Sequence, residues 1–261
     1  MRIVRFTPGP DAGLGQDPLF GVLEDDGVIS IISGDPIYSG IQKTAATIEL
    51  NKVRLLAPII PRSKVVCVGK NYADHAAEMG GVVPDEPIIF IKPNTSVIGP
   101  NDTIVWPGMA GQLDHEAELA IVIGRICKDV PKERVNDVIF GYTIANDVTA
   151  RDLQKKDGQW TRAKSFDTFC PIGPWVDTDF VPGTQKITAT IAGEVKQSAQ
   201  ISDMIFDVPT IINFVSRVMT LLPGDIILTG TPAGIGPMVA GQKATMAIEG
   251  LGELTNKVSA Q

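Results

Sequence analysis

Short apolar runs broken by glycine, proline and aspartate set the rhythm of the chain. Over residues 1–60, runs at 3–6, 20–23 and 28–32 alternate with turn-forming residues and close on Pro58-Ile59-Ile60-Pro61. That pattern predicts a small β-rich N-terminal unit with a proline-rich boundary. From 61 to 261 a second unit follows, with predicted strands at 65–68, 88–91, 103–106, 119–123, 138–144, 187–191, 226–229 and 244–248. Two helical stretches interrupt them. One is short, at 72–79. The other spans 208–219, with Asp207 or a neighbour as N-cap, Pro209 in the first turn, and Ile211, Ile212, Val215, Val218 and Met219 at helical spacing. Strands outnumber helices without regular βαβ alternation, so the fold class expected is α+β, predominantly β, with a mixed or antiparallel architecture.

One apolar run breaks the rule that charge stays out of a core. In Leu113-Asp114-His115-Glu116-Ala117-Glu118-Leu119-Ala120-Ile121-Val122-Ile123, two carboxylates two residues apart stand at the mouth of a strand. Residues i and i+2 of a strand share a face, so Glu116 and Glu118 are forced together. Like charges at the edge of a core are costly unless a cation sits between them or one takes up a proton. Asp147 ends a second apolar run, Ile144-Ala145-Asn146-Asp147. Three oxygen ligands on two strands point to a hard divalent cation. His115 adjoins Glu116, but its side chain is expected on the opposite face, packing or hydrogen bonding rather than ligating.

Composition narrows the class of partner. The 261 residues carry a net charge of −7 and a pI near 4.9, which argues against nucleic acid as the main partner. No run approaches ~18 uninterrupted apolar residues, so no membrane span is expected. The N-terminus lacks a secretory signal, and the expected compartment is the cytoplasm. Cys67, Cys127 and Cys170 lack CxxC spacing and read as buried free thiols.

Both histidines keep company with acids. His75 and Glu78 are i, i+3 neighbours on the short helix, so the carboxylate can orient the imidazole as a general base, although a surface ion pair gives the same pattern. Gly80-Gly81 and Pro84 after them suit a mobile lid. Lys164, in Ala163-Lys164-Ser165, would place a positive charge where enolate charge develops, or be simply solvated. The glycine-rich stretch from Thr229 to Pro237 lacks the Lys-Ser/Thr of a phosphate loop and instead offers a hydroxyl and N–H groups to a small anion.

Taken together, these pieces resemble the fumarylacetoacetate hydrolase family, from about Lys64 to the C-terminus. The matching segments are Gly69-Lys70-Asn71-Tyr72-Ala73-Asp74-His75, Phe90-Ile91-Lys92-Pro93, Glu116-Ala117-Glu118, Asn146-Asp147-Val148-Thr149-Ala150-Arg151-Asp152-Leu153-Gln154, Lys164-Ser165-Phe166-Asp167-Thr168 and Leu228-Thr229-Gly230-Thr231-Pro232-Ala233-Gly234. The small branch with acylpyruvate hydrolases and oxaloacetate decarboxylases is the nearest likeness. The resemblance implies a mixed β-roll or sandwich, a homodimer, and Mg2+ or Mn2+ on Glu116, Glu118 and Asp147, with Ca2+ as a substitute. It also implies catalytic roles for His75, Glu78 and Lys164, and substrate contacts from Lys70, Arg151, Gln154 and Thr231. Lys70 stands where many relatives carry arginine, so a bidentate carboxylate clamp there would be weaker.

The implied reaction is metal-dependent cleavage of a carbon–carbon bond in a small 2-oxo acid, by acylpyruvate hydrolysis or oxaloacetate decarboxylation through a pyruvate enolate. The same enolate allows isomerisation or tautomerisation of unsaturated 2-oxo diacids. From a different class, clustered acids also suit a structural Ca2+ site in a non-catalytic β protein.

Overall fold

Alternating and continuous apolar runs form strands where the pattern places them, and most join one sheet in the computed structural model, which describes residues 1–260. Its strands run in the spatial order Lys43–Glu49, Val28–Ile32, Leu19–Leu23, Arg2–Pro8, Cys170–Asp177, Ile139–Asn146, Ala117–Ile123, Ile226–Leu228, Val65–Gly69 and Ile88–Lys92. Pairing is antiparallel along this path except between Ile226–Leu228 and Val65–Gly69. A five-stranded sheet packs against it, ordered Glu194–Gln200, Lys186–Ile191, Lys243–Ile248, Gly252–Ala260 and Thr103–Trp106. A smaller ladder joins Thr149–Ala150, Leu113–His115 and Gly236–Met238.

The central strand Ala117–Ile123 is buried at every position, as expected of a strand covered on both faces. Leu119, Ile121 and Ile123 join Ile187, Ala189, Met246 and Leu254 in the core between the sheets. Ala120 and Ala145 turn the other way, toward Val65, Cys67, Cys170 and Leu228. The N-terminal unit is not a separate layer: Arg2 and Ile3 pair with Asp177 and Val176, and Ile3 shares a core cluster with Val122 of the central strand.

The long helix covers Val208–Val218; Asp207 caps it by accepting from the Thr210 amide at 2.9 Å, and Pro209 lies in its first turn. Further helices fall at Arg151–Asp157 and Thr161–Lys164, beyond the two that the apolar pattern predicts. The first, Arg-Asp-Leu-Gln-Lys-Lys-Asp, has a single apolar residue, so no amphipathic period announces it. Cys67 and Cys170 are buried free thiols, whereas Cys127 is only part-buried. Burial pushes all three thiols up, Cys170 to about 12, the opposite of the lowering that activates a nucleophilic thiolate. No helix among the described residues is long and apolar enough to cross a membrane.

Candidate active site

Glu116 interrupts the strand that the sequence reads as continuous. It lies between Leu113–His115 and Ala117–Ile123, where its amide donates to the Asn146 side-chain oxygen at 3.0 Å and its carbonyl accepts from the Asp147 amide at 2.9 Å. This cross-strand exchange brings Asp147 beside Glu116. Glu118, one residue into the next strand, points to the same place: ligand oxygens of Glu116, Glu118 and Asp147 all lie within 4.8 Å of one another, and all three residues are buried. Three buried carboxylates form an oxygen-only donor set suited to Mg2+ or Mn2+.

Cations hold this cluster together. The Lys164 ammonium donates to Glu116 at 2.7 Å and to Asp147 at 2.6 Å, and Arg151 donates to Glu116 at 2.5 Å and to Asp114 at 2.7 Å. Lys92, fully buried, donates to the other Asp147 oxygen at 2.5 Å and to the Val148 carbonyl at 3.2 Å. Its sequence signal was a charge closing the apolar run Ile88-Ile89-Phe90-Ile91, the same anomaly that exposes Glu118, yet sequence reasoning gave it no site role.

The two glutamates are held in opposite states. Burial alone would raise Glu116, but Lys164, Arg151 and His75 outweigh it and keep the carboxyl far below the usual range. Burial pushes Glu118 well above that range, with Asp147 and Glu116 adding to the effect, and the Gly230 amide at 2.6 Å offsets only part. Burial would lower the Lys164 ammonium, but Asp147 and Glu116 push it up to about 12.

A small cavity, partly open to solvent, unites most of the site. Lys70, His75, Glu116, Glu118, Asp147, Arg151, Gln154, Lys164 and Thr231 line it, joined by the apolar wall of Val68, Met79, Phe90 and Trp160. Glu78 lies just behind: His75 Nδ1 and a Glu78 oxygen are 3.2 Å apart. The Gln154 carbonyl oxygen accepts from Arg151 at 2.5 Å. Phe90 and Trp160 pack edge to face at 5.3 Å, and the Lys164 ammonium lies 5.2 Å from the Phe90 ring. Lys70 sits in the left-handed region (φ 57°), and its ammonium reaches Gly81, where an added Cβ would come within 2.7 Å.

The glycine-rich loop spends its amides on the protein's own anions. Gly230 donates to Glu118, and Gly234 donates to Glu78 at 3.1 Å. The expectation of free N–H groups for a small external anion therefore fails at these two positions. Asn71, fully buried, fixes the loop's entry by donating to the Thr229 carbonyl at 2.7 Å. His115 turns away from the carboxylates, and its Nδ1 meets the Gln197 side-chain oxygen at 3.1 Å.

A mostly β fold thus gathers three buried carboxylates, Lys164 and His75 around one cavity. The chain belongs to the fumarylacetoacetate hydrolase family: the family model described as "Fumarylacetoacetate (FAA) hydrolase C-terminal" matches residues 64–259, and one described as "Rv2993c-like, N-terminal" matches residues 1–58. Over 198 residues the chain is 47% identical to the mitochondrial oxaloacetate tautomerase FAHD1 of Arabidopsis thaliana, covering 74% of this chain and 89% of that protein. A solved 5-carboxymethyl-2-hydroxymuconate delta-isomerase from Mycobacterium smegmatis superposes with a TM-score of 0.91 at 47% identity, covering all of both chains. A maleylpyruvate hydrolase from Sphingobium sp. SYK-6, solved with manganese(II) and pyruvate, superposes at 0.81 with 32% identity, covering 100% of this chain and 99% of that one.

Proposed function

We propose that this protein is a divalent-metal-dependent enzyme that enolises small 2-oxo diacids of the oxaloacetate class, with keto–enol tautomerisation as its primary reaction. The observation that carries this reading is the convergence of Glu116, Glu118 and Asp147 in a cavity that also receives Lys164 and His75. Mg2+ or Mn2+ held by the three carboxylates would supply Lewis-acid polarisation of the 2-oxo group.

The rest falls to side chains. His75, oriented by Glu78, takes a proton from the carbon next to the carbonyl and returns one there in the reverse direction. Lys164 hydrogen-bonds the oxygen on which negative charge collects, and that oxygen takes the proton from the His75 imidazolium to give the enol. With a divalent ion present, the charges of Asp114, Glu116, Glu118 and Asp147 are outweighed by that ion together with Lys92, Arg151, Lys164 and the cavity's Lys70, which favours a substrate with two carboxylates. Similarity to an oxaloacetate tautomerase and to an isomerase supports proton movement as the main outcome.

Carbon–carbon cleavage is the second reading, favoured by the His75–Glu78 pair, which can equally activate water, and by the similarity to a maleylpyruvate hydrolase. Nuclear magnetic resonance of oxaloacetate in D2O, with pyruvate assayed in parallel, separates the two. Exchange at C3 with Mg2+ or Mn2+, faster than pyruvate release, is the expected result. Pyruvate release from an acylpyruvate without enhanced exchange would favour cleavage, and no turnover of any 2-oxo diacid would overturn both.

A further inference from the structure

We propose that Gln197 is a positioning residue that locks the metal-ligand strand to the 229–235 loop and so sets both cation affinity and the aim of Thr231. The inference rests on the functional reading above.

Gln197 stands on Glu194–Gln200, a strand of the five-stranded sheet whose other positions are exposed or part-buried; Gln197 itself is fully buried. Its amide group uses every hydrogen-bonding capacity it has. The oxygen accepts from the Ala117 amide at 3.0 Å and meets His115 Nδ1 at 3.1 Å. The nitrogen donates to the Thr231 hydroxyl at 2.8 Å and to the Pro232 carbonyl at 2.7 Å. Thr231 closes the ring by donating to the Ala117 carbonyl at 2.9 Å.

Ala117 is the residue between Glu116 and Glu118, so Gln197 holds the backbone that spaces two of the three carboxylates. The loop it grips supplies the Gly230 amide to Glu118 and the Gly234 amide to Glu78. The same strand presses on that loop: a Cβ at Gly234 would lie 2.1 Å from the Lys196 carbonyl. One neutral amide, outside the cavity lining, thus fixes the loop that touches the cation cradle, the cavity hydroxyl and the base's partner. Outer-shell partners of this kind change metal affinity or activity by about 10- to 100-fold when lost.

The test compares wild type, Gln197→Met and Gln197→Glu, with Ile191→Val as a buried change in the same sheet away from the site. Mn2+ binding is measured by calorimetry, oxaloacetate kinetics give kcat and KM, and amide exchange follows the 229–235 loop. Gln197→Met is expected to weaken Mn2+ by about 10- to 100-fold and to speed loop exchange, while Ile191→Val changes neither. Gln197→Glu keeps the acceptor for Ala117 and loses both donors, so the larger change is expected in KM and loop exchange rather than in Mn2+ affinity; it decides the matter if Gln197→Met does not fold. Wild-type Mn2+ affinity, KM and loop exchange in either variant, or equal losses in Ile191→Val, would overturn the proposal. A wild-type protein that binds no Mn2+ would sink the functional reading instead, while loop exchange would still report on Gln197.

Discussion

Glu116 and Glu118 differ by two positions and by opposite protonation preferences, and the difference comes from neighbours. Glu116 has Lys164 and Arg151 within hydrogen-bonding distance, whereas Glu118 has one backbone amide. Glu118 therefore holds its proton well above the usual carboxylate range. Without metal, the folded protein keeps a proton that the unfolded chain releases. The stability this contributes is fully present below the ordinary glutamate value and is lost as pH rises through the raised folded one. A cation must displace that proton, so Mn2+ affinity is expected to rise with pH over the same window, with proton release on binding. Calorimetry in buffers of different ionisation enthalpy measures this, and a pH-independent affinity with no proton release would contradict it. At this scale the acids were legible because charge in an apolar run is an anomaly. Gln197 was not, because a neutral amide in the polar segment Glu194–Gln200 looks like any solvated residue until its neighbours are known.

The site draws on strands and helices for Glu118, His75, Glu78, Arg151, Gln154 and Lys164, and on the breaks between them for Lys70, Glu116, Asp147 and Thr231. Periodicity made most strands and the Val208–Val218 helix readable, and even its Asp207 cap, because each exposes one face to a core. It could not reveal that Glu116 breaks a strand, since its backbone there bonds Asn146, the last residue of another strand, and Asp147 just after it. Nor could it reveal that the glycine-rich loop binds Glu118 and Glu78. Gly234 is the sharpest test of that loop: its φ of 95° and the Lys196 carbonyl leave no place for a side chain. Gly234→Ala is expected to cost at least about 1–3 kcal/mol of stability and to lower kcat by releasing Glu78, while Mn2+ affinity falls less. Unchanged kcat would show that the Gly234–Glu78 contact does not orient the base.

On the scale of the molecule, the two sequence units share one sheet and one cluster of buried side chains. The pairing of Ile3 with Val176 and its packing with Val122 link residues more than a hundred positions apart, which no local pattern encodes. Unfolding should therefore be cooperative. Ile3→Ala, at a fully buried position, is expected to cost about 2–5 kcal/mol and to lower a single calorimetric transition. An N-terminal transition that moves alone would contradict the shared cluster.

The central claim is that Glu116, Glu118 and Asp147 hold one divalent ion on which turnover of a 2-oxo diacid depends. Titrating chelator-stripped protein with Mn2+, while following oxaloacetate enolisation in the same samples, tests it most directly. One ion bound per chain, with activity rising from near zero in proportion to occupancy and Glu118→Gln weakening both, is the expected result. Full activity in the stripped protein, or occupancy without activity, would contradict it.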